Sequence, residues 1–456
     1  KTAPSSIRQL KQSPTFPWYN HHKSVKILSI TSGAAGMYCG SCLRDNALAT
    51  ELLQMGHEVT LLPIYTPTLT DEANVSRRRV FFGGLSVYLQ QLYPVFRKTP
   101  WIIDRIWDSR LALRVLSELS IKTDPRQLGA LTLSMLHGEK GFQKKELLKL
   151  VEWLKQESLP DIINLPNSLL IGLAEPLGTI LQRPICCTLQ GEDLFLDGLS
   201  EPYRSKAIGL IREKVRFVDG FTPVSNYCSG YMQNLLGITE EKMHPIPLGI
   251  KVEDYGKNRL ARSDIFRVGF LSRITPEKGL HVLCQAYQRL KANRALSATR
   301  LEVAGYLSRD HRAYLNQIKR QMHEWGLGSE FQYHGTLDRQ AKIRFLENLD
   351  VLSVPSIYAE QKGLPILEAM ASGVPVVQPR RGSFTEMLDK TSGGILTDPM
   401  QENSLEDGLY SIYKNENLAR KLGQNGRLGV KKYYSVSHMA RATLQVYSII
   451  RERTVS

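Results

Sequence analysis

The chain has 456 residues, of which 42% are hydrophobic, and 59 Lys and Arg stand against 44 Asp and Glu for a formal net charge of +15. This length exceeds one ordinary core and predicts two or three domains of globular composition, while no stretch approaches the ~20 apolar residues of a transmembrane helix. The six cysteines are few and unevenly spaced, which argues against a disulfide scaffold and for a reduced, cytoplasmic protein.

Residues 1–24 are polar and Pro-containing, lack a hydrophobic signal core, and read as a partly ordered extension. A strand follows at Val25 to Thr31, then a Gly-rich turn from Ser32 to Ser41, a helix from Asn46 to Met55, and a second strand from His57 to Pro63. This is the βαβ start of a mononucleotide-binding domain. It lacks the Gly-x-Gly-x-x-Gly fingerprint, which argues against NAD. Gly33 and Gly36 lie in this turn. Cys39-Gly-Ser-Cys42 has redox spacing at a helix start. A metal reading would add Cys186 and Cys187, whose adjacent side chains point apart on a strand, and helix packing of small residues is the reading preferred for the pair.

Phe96 to Arg114 mixes Trp, Ile and Arg at helical spacing, a pattern that suits a membrane surface but also the ordinary apolar stripe by which a helix docks on its own domain. Further strands are expected at Asp161–Asn164, Pro184–Leu189 and Phe217–Ser225. The first two end in polar residues, of which Asn164, Asn167, Gln190 and Asp193 are candidates for an acceptor side. His137 is one lone histidine nearby, and such residues more often have bland roles.

In the second half, Phe266–Arg273 predicts a strand, Ile274–Gly279 a loop, and Leu280–Lys291 a helix with apolar residues at helical spacing. Arg273 and Lys278 flank that turn. Arg grips a phosphate bidentately and Lys adds a point charge, so the pair forms a diphosphate cradle that calls for no metal. Asp350–Pro355 predicts a short buried strand, followed by a loop bearing Glu360 and a helix opened by Pro365, whose missing N–H costs nothing in a first turn. Glu368 is expected within the first turn or so. Both carboxylates then face the crevice at the carboxyl ends of an open α/β sheet.

The spacing Glu360-x7-Glu368, followed by Ala369-Met370-Ala371-Ser372-Gly373-Val374-Pro375-Val376-Val377, resembles the C-terminal signature of the family 4 retaining glycosyltransferases. Arg273 and Lys278 match the two bases of that family. The resemblance implies an α/β GT-B fold, two facing Rossmann-like domains with the active site in the cleft between them. It implies that Arg273 and Lys278 hold the donor diphosphate, that Glu368 holds the ribose, that Glu360 with Gly363, Leu364 and Pro365 orients the sugar, and that the first Gly-rich turn, with Gly33 and Gly36, lies at the cleft and touches the donor diphosphate or the acceptor. The implied organisation is an extension at 1–24, an acceptor domain at 25–248, a donor domain at 249–433 and a helix crossing back at 434–456, with Ile246–Ile250 as hinge.

One departure matters. Many relatives carry a His after the Pro-Asp strand or before a Gly in the next strand's loop, where this chain has Asn164-Leu-Pro166-Asn167 and Gln190-Gly191. No active-site His is therefore carried over. The expected reaction is metal-independent hexosyl transfer with retention, from a nucleotide sugar as co-substrate and without further cofactor, to a saccharide, lipid-linked or small-molecule acceptor. A GT-B epimerase or phosphorylase, or a non-catalytic nucleotide-sugar-binding protein, is the alternative. The positive charge suits nucleotide sugars and an anionic membrane face; with dispersed bases and no recognition motif, nucleic acid is not expected.

Overall fold

The computed structural model describes residues 24–33, 38–97, 125–257, 264–294, 296 and 298–455. Two sheets organise them. The first contains β1 (Lys26–Thr31), β2 (Glu58–Pro63), β3 (Ile162–Leu165), β4 (Ile185–Leu189) and β5 (Gly220–Pro223), in the order β2-β1-β3-β4-β5. The second contains β6 (Phe266–Leu271), β7 (Thr299–Ala304), β8 (Phe331–Tyr333), β9 (Val351–Leu352), β10 (Val376–Pro379) and β11 (Gly394–Thr397), in the order β11-β10-β9-β6-β7-β8. Every pairing is parallel. Parallel strands need helical crossovers, which cover both faces, so the central strands are apolar and buried almost throughout. β4, Ile-Cys-Cys-Thr-Leu, has no exposed residue. Each sheet carries its own apolar core, one around Leu28, Ile163, Leu189 and Phe221, the other around Val268, Phe270, Leu301 and Val376.

Strand order sets where a ligand can sit. In the second sheet β6 and β9 are neighbours, Val268 opposite Val351 and Gly269 opposite Leu352. The chain leaves β6 toward β7 on one side and β9 toward β10 on the other, so a crevice opens at their carboxyl ends. The loops that leave these two strands carry Arg273 with Lys278 and Glu360 with Glu368. Gly279 seals the two loops together. Its φ is +77, and a Cβ there would lie 2.0 Å from the Pro355 carbonyl oxygen, so both the backbone conformation and the contact demand glycine.

The Val436–Val455 helix packs Met439, Ala440, Val446, Tyr447 and Ile450 against Ile27, Ala47, Leu48, Leu52, Ile162 and Cys186 of the first domain. Backbone bonds from Ile250 N to Tyr434 O and from Val436 N to Ile250 O tie its start to the interdomain connection. Among the described residues, no helix is long and apolar enough to cross a membrane.

The first helix differs from expectation. It runs from Gly40 to Gln54 rather than from Asn46, so Gly40, Ser41 and Cys42 form its first turn. The extended Cys39 precedes it and contributes no side-chain cap; the leucine and alanine stripe buried against the sheet holds it instead. The stretch from Phe96 to Arg114 falls mostly within residues 98–124, outside the described residues, and Gly36 also lies outside them.

Candidate active site

A cleft of about 330 Å³ lies between the two sheets' carboxyl edges. The second domain lines it with Arg273, Lys278, Lys342, Tyr358, Glu360, Gln361, Lys362, Gly363, Leu364, Pro365 and Glu368; the first domain adds Cys39, Gly40, Leu43, Asp71, Gly191 and Leu194. A larger cavity of about 880 Å³ opens beside the amino ends of β6 and β9, between Phe266, Asp350, Gly373 and Arg427. It contains none of the candidate residues and lies at the wrong edge of the sheet for a crevice ligand.

Glu360 is buried on the β9 loop. Its Oε2 accepts from Lys278 Nζ at 2.5 Å and from the Tyr358 hydroxyl at 2.6 Å, and Lys278 Nζ also lies 2.5 Å from that hydroxyl. Burial pushes the Glu360 carboxyl up, but the Lys278 ammonium, the two hydrogen bonds and the Lys362 charge outweigh it and bring the pKa down to about 2. The carboxylate is thus ionised throughout the neutral range. Burial and the Glu360 charge together push the Tyr358 phenol up, so it stays a donor.

Glu368 is the fifth residue of the Leu364–Ala371 helix, just past its first turn. Its Oε1 accepts from Lys342 Nζ at 2.5 Å and from the Tyr255 hydroxyl at 2.9 Å. Lys342 extends from the Arg339–Glu347 helix and reaches Asp71 Oδ2 of the first domain at 2.7 Å. Burial opposes the Lys342 charge, yet Glu368, Tyr255 and Asp71 raise its pKa overall. Beside it, Arg339 bonds Glu72 at 2.7 Å and Asp254 at 3.0 Å.

Arg273 differs from the two lysines. Its side chain is 44% exposed and, among the described residues, its one ion pair, to Glu277, is 3.9 Å long, so its guanidinium is available to an incoming anion. The second domain also grips the first across the cleft mouth. Lys362 Nζ donates to Ser41 Oγ at 2.9 Å, and Ser225 Oγ donates to Gln361 O at 3.0 Å. Glu386 accepts from the backbone N–H groups of Asn226 and Tyr227 and from the Asn226 side chain. It thereby satisfies the free donors that begin the Asn226–Leu236 helix.

The expected acceptor residues fare unevenly. Asn164 is 1% exposed and accepts from Thr188 Oγ1 at 3.2 Å inside the sheet; Gln190 is 3% exposed and donates to Pro166 O at 2.8 Å. Neither is among the residues that line the cleft, and both brace strand ends. Asn167 caps the turn that follows β3 by accepting from Leu169 N at 3.1 Å, and its Nδ2 contacts Ser32 Oγ at 3.3 Å. Asp193 sits beside the Gln361 amide, and burial raises its pKa. Gly33, at φ +76, would place a Cβ 1.9 Å from Thr66 O, so it packs two loops together. His137 is exposed and precedes a short turn; among the described residues, no histidine lines the cleft. Lys342, Tyr255, Asp71 and Tyr358 were not singled out in the sequence. Tyr358 lies two residues before Glu360 and could have been, whereas the other three come from distant elements.

This arrangement of two parallel-sheet domains facing one cleft is the GT-B fold. Anabaena HepE, solved in complex with UDP and glucose, shares it with a TM-score of 0.64 at 17% identity, over 93% of this chain and all of that one. Residues 253–429, in the second domain, match the family of glycosyl transferases group 1. The chain is 28% identical over 183 residues to an uncharacterized glycosyltransferase, MJ1607, of Methanocaldococcus jannaschii, covering 40% of this chain and 45% of that one. It is 27% identical over 215 residues to an MMP alpha-(1->4)-mannosyltransferase of Mycolicibacterium hassiacum, covering 46% and 49%. The matches thus span about half the length of these two relatives.

Proposed function

We propose that the protein transfers a hexosyl unit from a nucleoside diphosphate sugar to an acceptor hydroxyl, with retention at the anomeric carbon and without a metal ion. The observation that carries this reading is the convergence of Arg273, Lys278, Glu360 and Glu368 on one cleft, at the switch point between β6 and β9. Arg273 and Lys278 would take up negative charge as the bond from the anomeric carbon to the diphosphate oxygen breaks. The acceptor oxygen would attack from the same face and pass its proton to the departing phosphate, so no histidine base is needed. Glu368 would hold the ribose, and Glu360 with the Gly363–Pro365 backbone would orient the hexose. The first-domain wall around Gly191 and Asp193 would receive the acceptor, a saccharide, a lipid-linked sugar or a small molecule, and closure would exclude water.

HepE's complex with UDP and glucose and the mannosyltransferase relative recommend uridine diphosphate glucose and nucleoside diphosphate mannoses as the first donors to test. The experiment is a donor screen by thermal shift, followed by product analysis with an acceptor panel in the presence of EDTA. Expected are stabilisation by one donor, release of its nucleoside diphosphate, and an anomeric configuration in the product that matches the donor. An inverted product would overturn retention, loss of turnover restored by manganese or magnesium would overturn metal independence, and an epimerised or phosphorolysed sugar would replace transfer with the neighbouring chemistry.

A further inference from the structure

Cys39 and Cys42 are not used by glycosyl transfer, yet they are placed where chemistry can reach them. Cys39 is the extended residue before the Gly40–Gln54 helix, half-buried and in the wall of the cleft. Cys42 lies three residues on, buried beneath it. The N–H groups of Ser41 and Cys42 belong to the first turn of that helix and have no carbonyl partner within it. On the far side, Thr31 Oγ1 lies 3.9 Å from Cys42 Sγ and donates to Asp45 Oδ2 at 2.9 Å. Asp45 is 2% exposed and paired to Arg44 at 3.1 Å. The two cysteines thus sit one half-buried in the cleft wall and one buried, three residues apart at a helix start, with a hydroxyl and a carboxylate behind the inner one.

We infer that Cys39 and Cys42 form a thiol–disulfide exchange site, in which Cys39 attacks a low-molecular-weight disulfide and Cys42 resolves the product. In the first step Cys39 Sγ, as thiolate, forms a bond to one sulfur of the oxidant, and the other leaves as a thiolate that water protonates. In the second, Cys42 gives up its proton along Thr31 toward Asp45 and bonds Cys39 Sγ, expelling the second thiolate. Two electrons pass to the oxidant, which departs as two thiols, and the protein holds one new S–S bond.

The electrostatics agree with that division of labour. The Cys42 thiol is the largest influence holding Cys39 down to about 4, with the Lys362 ammonium helping and burial opposing; a low-pKa thiol at a helix start is the attacking partner. Cys42 is pushed up, first by its bond to Cys39 and then by burial. Once Cys39 is bonded to the oxidant, both its negative charge and that bond are gone, and Cys42 becomes easier to ionise. The other four cysteines are buried, and burial raises the pKa of each, so they are inert in the folded chain.

The test is to treat the reduced chain with excess glutathione disulfide, quench with iodoacetamide without denaturing, and map the cysteines by mass spectrometry. Expected in the wild-type chain is a disulfide linking Cys39 to Cys42, reversed by dithiothreitol, with Cys186, Cys187, Cys228 and Cys284 unmodified until denaturation. C42S should stop at one glutathione on Cys39, and C39S should give neither product. A wild-type chain that stays reduced, or a glutathione adduct spread over the buried cysteines as readily as on Cys39, would overturn the site; the wild-type measurement decides it even where a variant folds poorly.

Discussion

The two signature carboxylates look alike in sequence and differ in the folded chain. Each lies against a lysine at 2.5 Å and a tyrosine hydroxyl within 3.0 Å. Around Glu360 all partners come from the second domain, and two of them, Lys278 and Tyr358, bond each other as well. Around Glu368 the lysine is shared with Asp71 of the first domain. The Glu360 end of the cleft is therefore assembled within one domain, whereas the Glu368 end is joined to the contact between the two. A ligand bound at Glu368 competes with an interdomain ion pair; a ligand at Glu360 meets a preformed local network.

The largest effect should come from breaking the local network. Lys278→Ala leaves Glu360 buried and ionised without its counter-charge, and removal of one partner of a buried pair costs roughly 3–5 kcal/mol. Urea denaturation should show that loss, and Lys278→Met with Glu360→Gln should recover most of it. If the double variant is no more stable than Lys278→Ala alone, the pair is not the source of the cost.

Arg273→Ala should leave stability nearly unchanged, because the side chain is 44% exposed, but should weaken nucleoside diphosphate binding. A charge-assisted hydrogen bond contributes about 1.5–3 kcal/mol, so titration calorimetry should find at least a tenfold loss. An unchanged affinity would remove Arg273 from the diphosphate site.

Much of this contrast was legible in sequence, for identifiable reasons. Glu360, Gly363 and Glu368 lie within nine residues, on a loop and helix whose geometry is local. Arg273 and Lys278 likewise flank a single turn. Lys342, Tyr255 and Asp71 were not legible, because they reach Glu368 from elements 26, 113 and 297 positions away (368 − 342, 368 − 255, 368 − 71), and only the closed fold brings them together. Asn164 and Gln190, expected on the acceptor side, are buried at strand ends, and their case is the opposite one. Polar residues at strand ends can face a ligand or brace the next loop, and the local pattern is the same in both cases. The first helix was placed too late because Gly40 and Ser41 resemble a turn; the tertiary burial of Leu48 and Leu52 overrides that weak local preference.

A smaller effect is expected at the interdomain side. Asp71→Asn removes one charge from Lys342 but leaves Glu368 in place, so thermal stability should fall by about 1 kcal/mol, with a larger change in the salt dependence of donor binding. No change in either would mean that the Lys342–Asp71 bridge does not couple closure to the ribose site.

Acid should reveal the Glu360 pair most gently. Its folded pKa, about 2, lies below the ordinary 4.5, so its contribution is fully present above about 4.5 and is lost as pH falls toward 2. Glu360→Gln should remove that part of the acid limb and leave the melting temperature flat between pH 5 and 7. A titration of the pair near neutrality in the wild-type chain would contradict the assignment.

The most direct test of the division between the two carboxylates is calorimetric binding of the free nucleoside diphosphate to Glu360→Ala and Glu368→Ala, each first checked for folding by circular dichroism. A contact to the nucleotide alone changes binding, while a contact to the transferring sugar changes kcat. Glu368→Ala should lose nucleotide affinity. Glu360→Ala should keep or gain it, because Lys278 is released to the diphosphate, while its kcat falls. Equal losses of nucleotide affinity in both folded variants would contradict the account.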